Sequence, residues 1–137
     1  MPPISFLAIA MAFATELVAD WIIQNVLFML FAGDELRTGM SEEEYRALAQ
    51  NVLQSTALSY WLMAFGLATT IGGAYLAARI AKRIPYYHGL AIGIVGVVYI
   101  VIASDALDGQ TWLGMLVTIP LSIYGAHLAR KHLPAET

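Results

Sequence analysis

The chain has no cysteine, which excludes disulfides, thiol nucleophiles and cysteine-bound metal or iron–sulfur clusters. Charge is scarce as well. Only 12% of the 137 residues are Asp, Glu, Lys or Arg, about half the roughly 25% of an ordinary soluble domain. Basic residues are the scarcer sign, seven against ten acids. A formal net charge of −3 leaves no basic surface for nucleic acid. What is abundant is apolar: 59% of residues are hydrophobic and the mean hydropathy is +0.68. This balance excludes disorder and a normal soluble enzyme, and it points to a protein whose solvent is the lipid bilayer.

A membrane-crossing helix needs about 20 mostly apolar residues. Four stretches qualify, at residues 4–32, 56–78, 86–104 and 111–128. The second and third, and the third and fourth, are joined by short links, and short links make antiparallel neighbours. The expected fold is therefore all-α, one membrane domain over residues 1–137, an up-down four-helix bundle. The first stretch has no Lys or Arg ahead of its apolar run, and Glu16 and Asp20 break its core. We read it as a retained helix rather than a cleaved leader.

Orientation follows from Lys and Arg. Arg79, Lys82 and Arg83 fall between the second and third spans, and Arg130 and Lys131 follow the fourth. The other side carries only Arg37 and Arg46 among many acids. Both termini are expected to be cytoplasmic, in a bacterial inner membrane. Arg79, Lys82 and Arg83 are candidates for lipid headgroups. Trp61 and Trp112 fall near the predicted outer interface.

The long outer link holds a capping box, Ser41 with Glu44, followed by Tyr45, Leu48, Ala49 and Val52 at helical spacing. It is either a short interfacial helix at 41–55 or, the reading we favour, the start of one long helix running into the second span. Its acidic face is a candidate surface for a protein partner.

Small residues mark helix interfaces in lipid. Gly66 and Gly73 lie on the second span, Gly89, Gly93 and Gly96 on the third, and Gly114 and Gly125 on the fourth. They are expected to serve helix packing or an oligomer interface. Pro120 is expected to free the Leu116 carbonyl and kink the fourth span.

The most informative feature is on the first span. Glu16, Asp20 and Gln24 repeat every four residues, which puts them on one helical face together with Ala8 and Ala12. Counting about 1.5 Å per residue from Ile4, Glu16 lies roughly 18 Å into the membrane. A charge at that depth costs at least about 2.5–3.5 kcal/mol. No Lys or Arg is expected at that depth to pair with it, so the available partners are neutral: Thr69, Thr70, Thr118 and Tyr99. Two acids one turn apart titrate as a coupled pair. One reading is a proton- or cation-binding site formed by Glu16, Asp20, Gln24, Asn25, Thr70 and Thr118. The others are interhelical hydrogen-bonding glue, or an Asp20 that sits in the headgroup zone.

No catalytic set is visible. Ser5, Ser59 and Ser104 have no histidine at their depth, and no Gly-Lys-Ser/Thr follows Gly72-Gly73. His88, His127 and His132 lack metal-ligand spacing. We expect neither an enzyme nor a metal or cofactor.

The run Gly72-Gly73-Ala74-Tyr75-Leu76-Ala77-Ala78-Arg79, followed by His88-Gly89, resembles a pattern in small uncharacterised bacterial four-span membrane proteins. The resemblance covers about a fifth of the chain and implies fold and membrane location. An acid in the first of four spans is also similar to the small multidrug resistance transporters. There a first-helix glutamate exchanges protons for cationic drugs in a dimer, and the analogy implies that part for Glu16. The acidic outer link and Asp20 depart from that pattern. Together these observations lead us to expect an oligomeric transport or channel-like protein, with a non-catalytic scaffold or accessory subunit as the competing reading. A transport site would place Glu16 against an aqueous cavity or a symmetry axis. A scaffold would leave Glu16 buried and hydrogen-bonded, with Gly66, Gly73 or Gly93 on an exposed seam.

Overall fold

The computed structural model describes residues 4–33, 35–82, 84–104 and 108–133. It is all-α, with five helices: α1 (Phe6–Ala32), α2 (Glu42–Leu53), α3 (Thr56–Ala81), α4 (Pro85–Ala103) and α5 (Gly109–Lys131). No strand occurs among the described residues. Four of the helices (α1, α3, α4 and α5) are long and apolar enough to cross a membrane, which suggests an integral membrane protein. Arg83 falls outside the described residues.

Successive long helices run in opposite directions. At one end the Ser5 N–H donates to His88 Nε2 (3.0 Å), Arg79 donates to the His132 carbonyl (2.6 Å), and Tyr86 Oη meets His127 Nδ1 (2.9 Å). These contacts gather the start of α1, the end of α3, the start of α4 and the end of α5. At the opposite end Gln110 donates to the Ser59 carbonyl (3.2 Å). His88 is buried at the first of these ends, and the tautomer protonated on Nδ1 satisfies both its neighbours, the Ile84 carbonyl and the Ser5 N–H.

The helix α3 is central and packs against α1, α4 and α5, whereas α1 and α5 do not pack on each other among the described residues. The contact layers are made of small residues. Ala12, Ala74 and Ala77 bury with Ile92, and Ala78 buries with Ala126 and Ala129. Bulky side chains such as Phe6, Leu30, Ile102 and Leu116 point outward. That inversion is what lipid permits: apolar side chains gain nothing by leaving hydrocarbon, so close backbone packing holds the helices together.

The outer link departs from the long-helix expectation. Gln54 ends α2 and Ser55 takes an extended ψ of 122° before α3 begins. The break lets Leu48 and Val52 fold back onto Leu27, Ala32 and Leu58, so the apolar face of α2 covers one end of α1. That burial outweighs continuing a helix whose apolar face would meet water. The capping box is formed, with Ser41 and Glu44 bonded reciprocally.

The connection from α3 to α4 is tight enough to hold Lys82 (φ 56°) and Ile84 (φ 41°) in the left-handed region, a strain of about 1–2 kcal/mol per residue. Pro85 then starts α4, where its missing N–H costs nothing. Pro120 stays within α5. The neighbouring hydroxyls do not replace its missing hydrogen bond: Thr118 donates to the Gly114 carbonyl and Ser122 to that of Ile119.

Two predictions follow from packing and capping. A Cβ at Gly89 would stand 2.6 Å from the Ala126 Cβ and 2.8 Å from the Ser122 carbonyl oxygen, whereas one at Gly72 would meet nothing within 4 Å. Gly89→Ala should therefore lower thermal stability in detergent by about 1–3 kcal/mol, and Gly72→Ala should not lower it. The Thr111 N–H holds the Asp108 carboxyl below the usual carboxylate range, and the bonds to Ser41 do the same for Glu44. Folded values below the unfolded ones give stability that is present above the ordinary carboxylate range and is lost as pH falls through the folded values. Acid melting curves should accordingly be shallower in pH for Asp108→Asn with Glu44→Gln, which keep the caps but remove the titration.

Candidate functional site

Along α1 the buried stripe is Ala8, Ala12 and Glu16, with Asp20 half-buried. The two alanines bring α1 close to α3 and α4, and that approach carries Glu16 into the bundle. Its side chain is only 8% exposed. Across the interface, α3 presents Gly66, Thr69, Thr70 and Gly73 at three- and four-residue spacing, so all face α1 or its edge.

Thr70 Oγ1 donates to Glu16 Oε1 at 2.9 Å, and Thr69 Oγ1 donates to Asp20 Oδ1 at 2.6 Å. Both hydroxyls also lie within reach of one carbonyl, that of Gly66, at 2.9 Å from Thr69 and 3.0 Å from Thr70. The second oxygen of Glu16, Oε2, is buried without a hydrogen-bond partner. It rests where Gly73 has no side chain: a Cβ there would lie 2.7 Å from it. The ion pair formed among the described residues, Arg46 with Glu42, is on the exposed face of α2 and far from these acids in the chain.

The two carboxyls line a half-open cavity of about 180 Å³ to which all four long helices contribute. Phe13 and Leu17 join them from α1, Met63, Gly66, Leu67 and Thr70 come from α3, Gly96, Tyr99 and Ile100 from α4, and Gly114 and Thr118 from α5. It has room for several waters. Phe13 and Tyr99 meet edge to face, with centroids 5.8 Å apart, and bridge α1 and α4 beside it. Asp20 and Gly66 also line a second cavity of about 240 Å³, together with Gln24 and Phe65.

Four of the six expected site residues thus share one cavity: Glu16, Asp20, Thr70 and Thr118. Gln24 borders the neighbouring cavity and a groove shared with α2 rather than the main cavity, and Asn25 lies away from the site. A four-residue step overshoots a helical turn by about 40°, so the stripe rotates off the interface after Asp20 and Leu27 is buried instead. Asn25 donates to the Trp21 carbonyl of its own helix (2.7 Å) and faces a groove shared with α2. Thr118 contributes its side chain to the wall while its hydroxyl donates to the Gly114 carbonyl (2.7 Å).

The glycines divide in two. Gly73, Gly89, Gly93, Gly96 and Gly125 abut neighbouring helices of the same chain. Gly66 and Gly114 abut nothing and line the cavity. Sequence reasoning missed that second role, and it also missed the Gly66 carbonyl as the point shared by the two threonines. The pairing of adjacent Thr69 and Thr70 with acids spaced i, i+4 was the available signal. At the basic end Arg79 is tied to the His132 carbonyl, Lys82 is exposed, and Arg130 lies over the Tyr86 ring at 5.7 Å.

No known protein family, curated protein or solved structure matches the chain.

The fit of Glu16 over Gly73 gives a direct test of the geometry. Gly73→Ala should displace the carboxyl from Thr70 and lower stability by about 1–3 kcal/mol. Adding Glu16→Ala to it should recover part of the loss, because the clash is with that side chain. Melting temperatures of the two variants, compared with Glu16→Ala alone, measure the coupling.

Proposed function

We propose that this chain is an oligomeric membrane transport or channel-like protein whose first span carries a proton- or cation-binding site, with both termini cytoplasmic in a bacterial inner membrane. The observation that carries the reading is a carboxyl pair, Glu16 and Asp20, set in the wall of a cavity within the bundle and bonded only by neutral hydroxyls. A buried acid without a cationic partner is costly. Acids placed this way hold exchangeable protons or cations in membrane proteins. Glu16 would then take the part that the first-helix glutamate plays in the small multidrug resistance transporters.

The scaffold reading has less support. Its first mark, a buried and hydrogen-bonded Glu16, is present, but its exposed glycine seam is not: Gly73 and Gly93 are buried against helices of the same chain and Gly66 lines the cavity.

Adding candidate cations to detergent-purified protein should release protons from the wild type, measured with a pH indicator from about pH 5 to 9. Glu16→Gln should abolish the release and Asp20→Asn should reduce it. Folded wild-type protein that releases none across this range would contradict coupled exchange for the cations tested.

A further inference from the structure

Each threonine hydroxyl has one proton to give and lone pairs to accept with. Thr70 Oγ1 lies between Glu16 Oε1 (2.9 Å) and the Gly66 carbonyl (3.0 Å), and Thr69 Oγ1 lies between Asp20 Oδ1 (2.6 Å) and the same carbonyl (2.9 Å). A carbonyl oxygen can only accept. A carboxyl oxygen accepts when ionised and can donate when it carries a proton. Each hydroxyl therefore has two complete arrangements. With the acid ionised, the hydroxyl donates to the carboxylate. With the acid protonated, the carboxyl donates to the hydroxyl, and the hydroxyl turns to donate to Gly66.

We infer that Thr69 and Thr70 are positioning residues of the proton site, hydroxyls that turn between the Gly66 carbonyl and the acids of α1 and so hold both protonation states without movement of the helices. This rests on the proton-site reading above. The step balances simply. One proton leaves Glu16 for water, the O–H of Thr70 turns from the Gly66 oxygen to Glu16 Oε1, and no other bond is made or broken. The bare Oε2 fits this scheme: in the acid form it is a neutral carbonyl oxygen, which is cheaper to leave unbonded than a charged one.

The groups facing Glu16 leave Thr70 as its hydrogen-bonding partner, as Thr69 is that of Asp20. On α1 the neighbouring acid is Asp20, on α4 the titratable group lining the cavity is Tyr99, and α3 and α5 contribute no charged side chain to it. Thr118 lines the same cavity, but its hydroxyl is bonded to Gly114 (2.7 Å). It is the matched control.

The test is infrared difference spectroscopy of the full chain in lipid, between acid and alkaline pH. The carboxylic C=O band that disappears in Glu16→Gln is assigned to Glu16, and the one lost in Asp20→Asn to Asp20. Thr70→Val removes the hydroxyl at nearly constant shape and should move the Glu16 band to higher frequency, the direction of a lost hydrogen bond. Thr70→Ser should return it, and Thr118→Val should leave it in place. Thr69→Val should do to the Asp20 band what Thr70→Val does to that of Glu16, and it decides the matter if Thr70→Val does not fold. A titrating Glu16 band that ignores Thr70→Val, or that moves equally in Thr70→Ser, would overturn the inference and leave the proton-site reading standing. Absence of any titrating band lost in Glu16→Gln would overturn both.

Discussion

The structure depends on one contact: a carboxyl group of α1 bonded to a threonine hydroxyl of α3 inside an apolar bundle. An ionisable side chain at such a place is tolerated only where polar atoms or water meet it. The neighbouring residues follow from that requirement. Ala8 and Ala12 let α1 approach. Gly73 leaves the space that Glu16 Oε2 occupies. Thr70 supplies the hydroxyl. Gly66 and Gly114, with no Cβ, keep open the cavity on which the carboxyls border.

The rest of the bundle is held by a different economy. Among the described residues its fully buried side chains are mostly alanine, with only Leu58, Ile92, His88 and Ser122 larger. Close backbone packing of α4 on α5, through Gly89, Gly93 and Gly96, makes a firm pair with α3 against it. The helix that carries the acids is the most peripheral of the four long ones. It packs mainly on α3, touches α4 at the basic end through Ser5 and His88, and is covered at the other end by α2. The polar site therefore lies at the boundary between a tightly packed trio and a more loosely attached fourth helix.

Much of this was legible in the sequence. Four apolar runs gave the four long helices, and the capping box at Ser41 gave the start of α2. The i, i+4 acids gave the buried face, and their lack of a cation pointed to the threonines. What was not legible was tertiary. Nothing local at Gln54-Ser55 stops a helix; the fold-back of Leu48 and Val52 does. Gln24 continued the sequence pattern, but the helix rotates about 40° per four-residue step, and that drift carries it off the interface. A glycine that packs against a neighbour and one that opens a cavity look identical in sequence. Gly73 and Gly66 differ only in what lies opposite them.

A carboxyl pair that exchanges protons or cations with solution needs a wet cavity in contact with bulk water. The absence of native cysteine makes that requirement directly testable. Gly114 lines the cavity with open space before it, while Leu116, two residues on, is 70% exposed on the outer face of the bundle. Thiols react as thiolates, which form in water and not in hydrocarbon. In lipid vesicles, Gly114→Cys should react with a membrane-impermeant, water-soluble thiol reagent much faster than Leu116→Cys, and Glu16→Gln should not be needed for that reaction. Equal, slow labelling at both positions would show a dry cavity and contradict the account.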